Sequence, residues 1–133
     1  MLFWDACAVI YFVDNIEPWA SRLSARLLEL DSRFSGHAVS ELSLLECRIK
    51  PLREQNAAVL AAYDRFFSRK DLLQVPVNKA VILEAARVRA AYNLKTPDAF
   101  QAASALSLAG EVLFVTNDRC FDKVLGLRTE IIE

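Results

Sequence analysis

Short apolar runs of strand length alternate along this chain with segments whose apolar residues recur every three or four positions. That alternation is the strongest constraint on its fold, because such chains cover the faces of a mostly parallel sheet with helices. The strand-length runs are MLFW (1–4), GHAV (36–39), LLQVPV (72–77), EVLFVT (111–116) and TEIIE (129–133). GHAV is the weakest of these signals and EVLFVT the strongest. Pro76 removes a ladder donor, so LLQVPV belongs near a sheet edge. Helical spacing runs through residues 17–34, where Ala20, Leu23, Leu27, Leu30 and Phe34 share a stripe. Ser40 is placed to cap a helix that reaches about Lys50 and is closed by Pro51. A third helix over 53–68 aligns Leu60, Tyr63 and Phe67. A fourth aligns Val81, Ala85, Val88 and Tyr92, and Asn93 can end it in a left-handed conformation. The last follows in KTPDAFQAASALSLAG, with Thr96 as the expected N-cap, Pro97 in the first helical position and Asp98 in the first turn.

The chain has 133 residues, 54% of them hydrophobic and only three of them glycine, which predicts one compact domain over 1–133. Its 16 basic and 17 acidic residues leave a net charge of −1. That balance argues against a chain coated in positive charge, yet a local basic patch is enough to hold nucleic acid. Three cysteines, an odd number without paired spacing, point to a reducing compartment, and the expectation is the cytoplasm. The opening MLFWDACAVIYFV carries Asp5 and no basic leader, and its apolar runs are short. Neither a signal peptide nor a membrane span is expected.

Four acids take unusual places on this skeleton. Asp5 ends the first strand and Asp118 lies just beyond VLFVT, at the strand ends where open parallel sheets collect ligands. Glu46, in SELSLLECRIK, falls on the stripe of Leu42, Leu45 and Ile49, which turns a carboxylate toward the core. Asp98 heads a line of Ala102, Ala105 and Ala109 whose small side chains let the helix approach the sheet. Each acid also has a plain structural reading. Glu46 can pair with Arg48, Arg53 or Arg89, Asp118 can serve a turn, Asp5 can cap a strand end and Asp98 can complement the helix dipole. Carboxylates gathered at apolar faces repel one another, and a hard divalent cation such as Mg²⁺ or Mn²⁺ relieves that repulsion.

FWDACAVIYF, SELSLLECRIKPLR, RAAYNLKTPDAFQAASAL and LFVTNDRCF resemble, in order and spacing, the four acidic blocks of the PIN-domain nucleases. The second and third blocks are most similar to the VapC-type toxins of toxin–antitoxin pairs. The resemblance implies a three-layer α/β/α sandwich around a mostly parallel sheet of about five strands. It implies that Asp5, Glu46, Asp98 and Asp118 bind Mg²⁺ or Mn²⁺, with Thr116 and Asn117 as polar support. The implied activity is metal-dependent endoribonuclease cleavage of RNA phosphodiester bonds, with DNA left open. The implied partners are a cognate antitoxin and a second copy of the chain. The alternative is a catalytically inactive PIN-fold module that binds RNA or protein. Ala6 and Cys7 stand where the family often carries a hydroxyl or amide, and Gln101 where histidine is common.

Arg48, Lys50 and Arg53, then Arg87, Arg89 and Lys95, then Arg119 and Lys123 flank these acids. Of these, Arg48, Lys50, Arg89, Lys95 and Arg119 are the expected RNA contacts, Arg89 first among them. His37 lacks partner spacing and reads as structural. Cys7, Cys47 and Cys120 read as buried small hydrophobes. Trp19, Leu23, Leu27, Phe66 and Phe67 serve either the core or an interface with a second copy or a partner helix.

Overall fold

The computed structural model describes residues 1–133. In chain order the elements are β1 (Leu2–Trp4), α1 (Ala6–Val13), α2 (Trp19–Leu30), β2 (His37–Ser40), α3 (Leu42–Arg53), α4 (Ala57–Phe67) and β3 (Leu72–Val75). They continue with α5 (Lys79–Tyr92), α6 (Thr96–Leu106), β4 (Leu113–Thr116), a short 3-10 helix (Arg119–Lys123) and β5 (Thr129–Ile131). The five strands pair in the order β3-β2-β1-β4-β5, and every pairing is parallel. LLQV does lie at an edge, with Pro76 just past its end.

Alternate strand residues face opposite layers, as a pleat of period two requires. Leu2, Trp4, Val39, Leu113 and Val115 point to one side, where they pack with Val9 of α1, Leu23 and Leu27 of α2, Cys47 of α3 and Tyr63 of α4. Phe3, Ala38, Val75 and Phe114 point to the other, against Val88 of α5, Ala102 of α6 and Phe121. The result is an α/β/α sandwich. No helix is long and apolar enough to cross a membrane.

Several boundaries differ from the sequence reading. Helix α1 is not announced by periodicity, because ACAVIYFV is apolar nearly all round and shows no stripe. Helix α2 stops at Leu30, so Phe34 packs on the core from outside it. Pro51 does not close α3. It sits buried inside a helix that runs to Arg53, after which α4 begins afresh at Ala57 with the Asn56 side chain accepting from the Val59 N–H. Ser40 is the last residue of β2, and its hydroxyl accepts from the Leu42 N–H at 3.1 Å while Glu41 takes the N-cap position. Lys95, not Thr96, is the N-cap of α6, because its carbonyl accepts the first helical bond from Ala99 at 2.9 Å. Asn93 ends α5 with φ 54°, the left-handed conformation expected of it.

The stripe on α3 is the largest correction. Leu45 is 59% and Ile49 41% exposed, while Ser43, Cys47 and Pro51 face inward. Small side chains let α3 settle against the core, and the larger apolar residues are left on the outer face. Glu46 stands at the border between the two faces and is half-buried.

Candidate active site

Successive strands run outward in both directions from β1 and β4, so these two neighbours mark the point where the sheet reverses its winding. Crevices at the carboxyl ends of such strands are where parallel sheets bind ligands. β1 ends at Asp5, which is 7% exposed and caps α1. Its Oδ1 accepts from the Ala6 N–H at 2.8 Å, and its Oδ2 accepts from the Thr116 hydroxyl at 2.7 Å and the Cys7 thiol at 3.5 Å. Burial outweighs these bonds and pushes the Asp5 carboxyl up to about 6. Thr116, the last residue of β4, also accepts from the Asp118 N–H at 3.1 Å. One hydroxyl thus ties two of the acids together. Asn117 turns elsewhere and donates to the Tyr11 hydroxyl on α1 at 2.6 Å.

Asp118 is exposed and caps the 3-10 helix, its Oδ1 accepting from the Cys120 N–H at 2.8 Å. Asp98 reaches the same place from the first turn of α6, and ligand atoms of Asp98, Asp118 and Cys120 lie within 4.8 Å of one another. Burial, and then the Asp118 charge, raise the Asp98 carboxyl above its ordinary range, against the pull of Lys95. Glu46 is likewise raised by burial and by Asp98, while the Gln101 amide, donating to its Oε1 at 2.9 Å, works the other way. The Glu46 charge is felt in turn at Asp5. Asp5 and Glu46 lie outside the tight group of Asp98, Asp118 and Cys120, but each acid feels the charge of the next, Asp5 that of Glu46, Glu46 that of Asp98 and Asp98 that of Asp118.

Burial first, with nearby carboxylates adding to it, pushes the Cys7 thiol up to about 12 and does the same for Cys120. A thiol is a soft donor, ill matched to the hard cations that carboxylates favour. The oxygen donors that remain are hard, and no imidazole joins them. Such a set suits a cation of the Mg²⁺ or Mn²⁺ class. His37 is occupied elsewhere. Its Nδ1 accepts from the Trp4 indole N–H at 3.0 Å and its Nε2 lies 3.1 Å from Asp31.

Of the five basic residues expected at RNA, Lys95 stands next to the acids and favours the charge on Asp98. Arg48 pairs with Asp64 of α4 at 2.6 Å, not with Glu46. Arg119 is engaged by Asp122 and Glu133. Arg89 donates to the Leu94 carbonyl and holds the turn that leads into α6. Lys50 lines a separate recess with Asp14, Glu54 and Asn56. Sequence reasoning missed Ser43 and Tyr11, which carry no charge and no motif, and saw Gln101 only as a departure from a pattern.

The model of the PIN domain family matches residues 2–127. The chain belongs to the PIN-domain family. PIN domains are generally nucleases. A chain in the crystal structure of VapBC2 from Rickettsia felis bound to a DNA fragment from their promoter superposes with a TM-score of 0.78 at 17% identity, covering 100% of both chains. A chain in the crystal structure of FitAcB from Neisseria gonorrhoeae gives a TM-score of 0.69 at 14% identity, over 97% of this chain and 96% of that one. A chain in a toxin–antitoxin complex from Klebsiella pneumoniae gives 0.69 at 14% identity, over 96% of this chain and 95% of that one. These likenesses are likenesses of fold. Comparison with curated protein sequences gives no match.

Proposed function

We propose that this PIN domain is a Mg²⁺- or Mn²⁺-dependent endoribonuclease that acts as the toxin of a toxin–antitoxin pair. The observation that carries the reading is the meeting of Asp98 and Asp118 within one 4.8 Å group, with Glu46 and Asp5 coupled to them by charge near the reversal of the sheet. Asp98, Asp118, Glu46 and Asp5 would hold the ion, whose bound chemistry would be polarisation of a phosphodiester and a lowered pKa for an attacking water. Thr116 fixes Asp5 and the Asp118 backbone relative to each other and so would hold the two carboxylates ready for an ion. Lys95 supplies positive charge beside Asp98, where a phosphate backbone would approach. Arg48 and Arg119 would extend that attraction if RNA displaced their acidic partners, and Lys50 and Arg89 remain in the expected set.

The partner half of the proposal draws on the fold shared with chains of toxin–antitoxin complexes, and with it come a homodimer and a cytoplasmic location. The deciding experiment is cleavage of a mixed structured-RNA pool by the purified, partner-free chain with Mn²⁺, with EDTA, and with Asp98→Asn as the matched protein. Cleavage with Mn²⁺ that disappears in both other lanes is the expected result. Cleavage that survives Asp98→Asn overturns the assignment of the site. A folded chain that binds RNA identically in all three lanes and cuts none of it is the binding module instead. Cys7 gives that second reading its one structural support, because its thiol stands against Asp5 where the family often has a hydroxyl or amide.

A further inference from the structure

Gln101 is 1% exposed, and burying a primary amide is costly unless each of its polar atoms finds a partner. Both N–H groups do. Nε2 donates to the Ser43 hydroxyl at 3.0 Å and to Glu46 Oε1 at 2.9 Å. The carbonyl Oε1 does not, and it is the one buried side-chain polar atom left without a hydrogen bond. The amide has only one workable orientation here, because reversing it would set an acceptor against the Glu46 carboxylate. An apolar side chain of the same shape would remove the orphaned Oε1 but would leave the buried Ser43 hydroxyl without its partner. What the glutamine adds beyond packing is a pair of donors facing α3.

Those donors fall at a telling place. Gln101 lies three residues after Asp98, hence on the same face of α6 and one turn along. Ser43 and Glu46 are likewise three apart on α3. One amide therefore bridges the helix that delivers Asp98 to the helix that delivers Glu46. We propose that Gln101 is the positioning residue of this site: it clamps α6 to α3 and orients the Glu46 carboxylate for the divalent cation. This role rests on the reading of the four acids as a metal site. It is distinct from ligation, since Gln101 acts through Glu46. Groups that orient metal ligands in this way typically change metal affinity by about 10–100-fold when they are removed.

The test measures Mn²⁺ affinity by calorimetry, in the absence of RNA, together with metal-free thermal stability. The proteins are wild type, Gln101→Met, Glu46→Gln, the double variant, and Ser104→Ala as a control. Ser104 is buried on the same helix but bonds to Ser40 at 3.1 Å and not to an acid. Gln101→Met is expected to weaken Mn²⁺ binding by about 10–100-fold while remaining folded in the metal-free melt, and to add little further loss in the Glu46→Gln background. Ser104→Ala is expected to bind Mn²⁺ as wild type does. Gln101→Asn, which keeps an amide but withdraws it by one methylene, carries the same expectation and decides the matter if the methionine variant does not fold. Unchanged affinity in a folded Gln101 variant, or an equal loss with and without Glu46, overturns the positioning role while leaving the metal site intact. A wild type that binds no Mn²⁺ overturns the metal reading itself, and the clamp with it.

Discussion

Asp5 carries its charge against its surroundings, and that has a measurable sign. Burial raises its folded pKa to about 6 from an ordinary 3.8, so between those values the folded state holds a proton that the unfolded chain has released. The metal-free protein is favoured by this group below pH 3.8 and loses that contribution as the pH rises to 6. A shift of this size corresponds to about 3 kcal/mol. Asp5→Asn removes the charge but also one acceptor, so at pH 7.5 in EDTA it should stabilise the fold by about 1–2 kcal/mol. The gain should shrink toward pH 4, and thermal melts at the two pH values check it. A destabilised Asp5→Asn at pH 7.5 would mean that Asp5 is an ordinary satisfied cap. Single residues were also where the sequence was most legible. The four acids stand out because charge next to apolar pattern is visible without coordinates. Gln101 and Ser43 do not, because an uncharged polar residue inside a helix looks the same whether it faces solvent or an acid.

Helix ends decide where these side chains arrive. Asn78 caps α5, its side chain accepting from the Val81 N–H at 3.0 Å. Asn78→Ala should therefore cost about 1 kcal/mol, read as a lower urea midpoint with unchanged slope. The far end of α5 was legible, since asparagine tolerates the left-handed conformation that Asn93 adopts. The start of α6 was legible only to within one residue. Thr96 has the side chain of an N-cap, yet the position belongs to Lys95, whose backbone turns there without a side-chain cap bond. On α3 the helix was right and its orientation wrong. Leu42, Leu45 and Ile49 form the better apolar stripe, yet Ser43 and Cys47 face inward. Close approach to neighbouring elements outweighed the hydrophobic gain of a few leucine side chains, and no period in the sequence encodes that trade. Glu46 lies at the border of the inward face, half-buried, with the Gln101 amide donating to it.

Across the whole molecule, a net charge of −1 means that any nucleic acid must be held by local charge. Lys95 beside Asp98 is the residue placed for it. On the nuclease reading, Lys95→Ala should weaken RNA binding evenly across sequences and lower the slope of log affinity against log salt by about 1. Filter binding across a salt series, in EDTA to suppress cleavage, measures both, and an unchanged slope would remove Lys95 from the interface. Sequence alone determined the order of the strands and of every helix but α1, the mostly parallel sheet and which four acids stand apart from the apolar pattern. Those features follow from local periodicity, turn chemistry and the placement of charge, and each is written within about one element's length. Tertiary structure decided the rest. It set which face α3 turns inward, drew Asp98 and Asp118 together while Asp5 and Glu46 stand farther back, and engaged Arg48, Arg89 and Arg119 with other partners. The physical reason is that these outcomes depend on how closely separate elements pack. Packing is a competition among all surfaces at once, and the winner is not written in any single stretch of the chain.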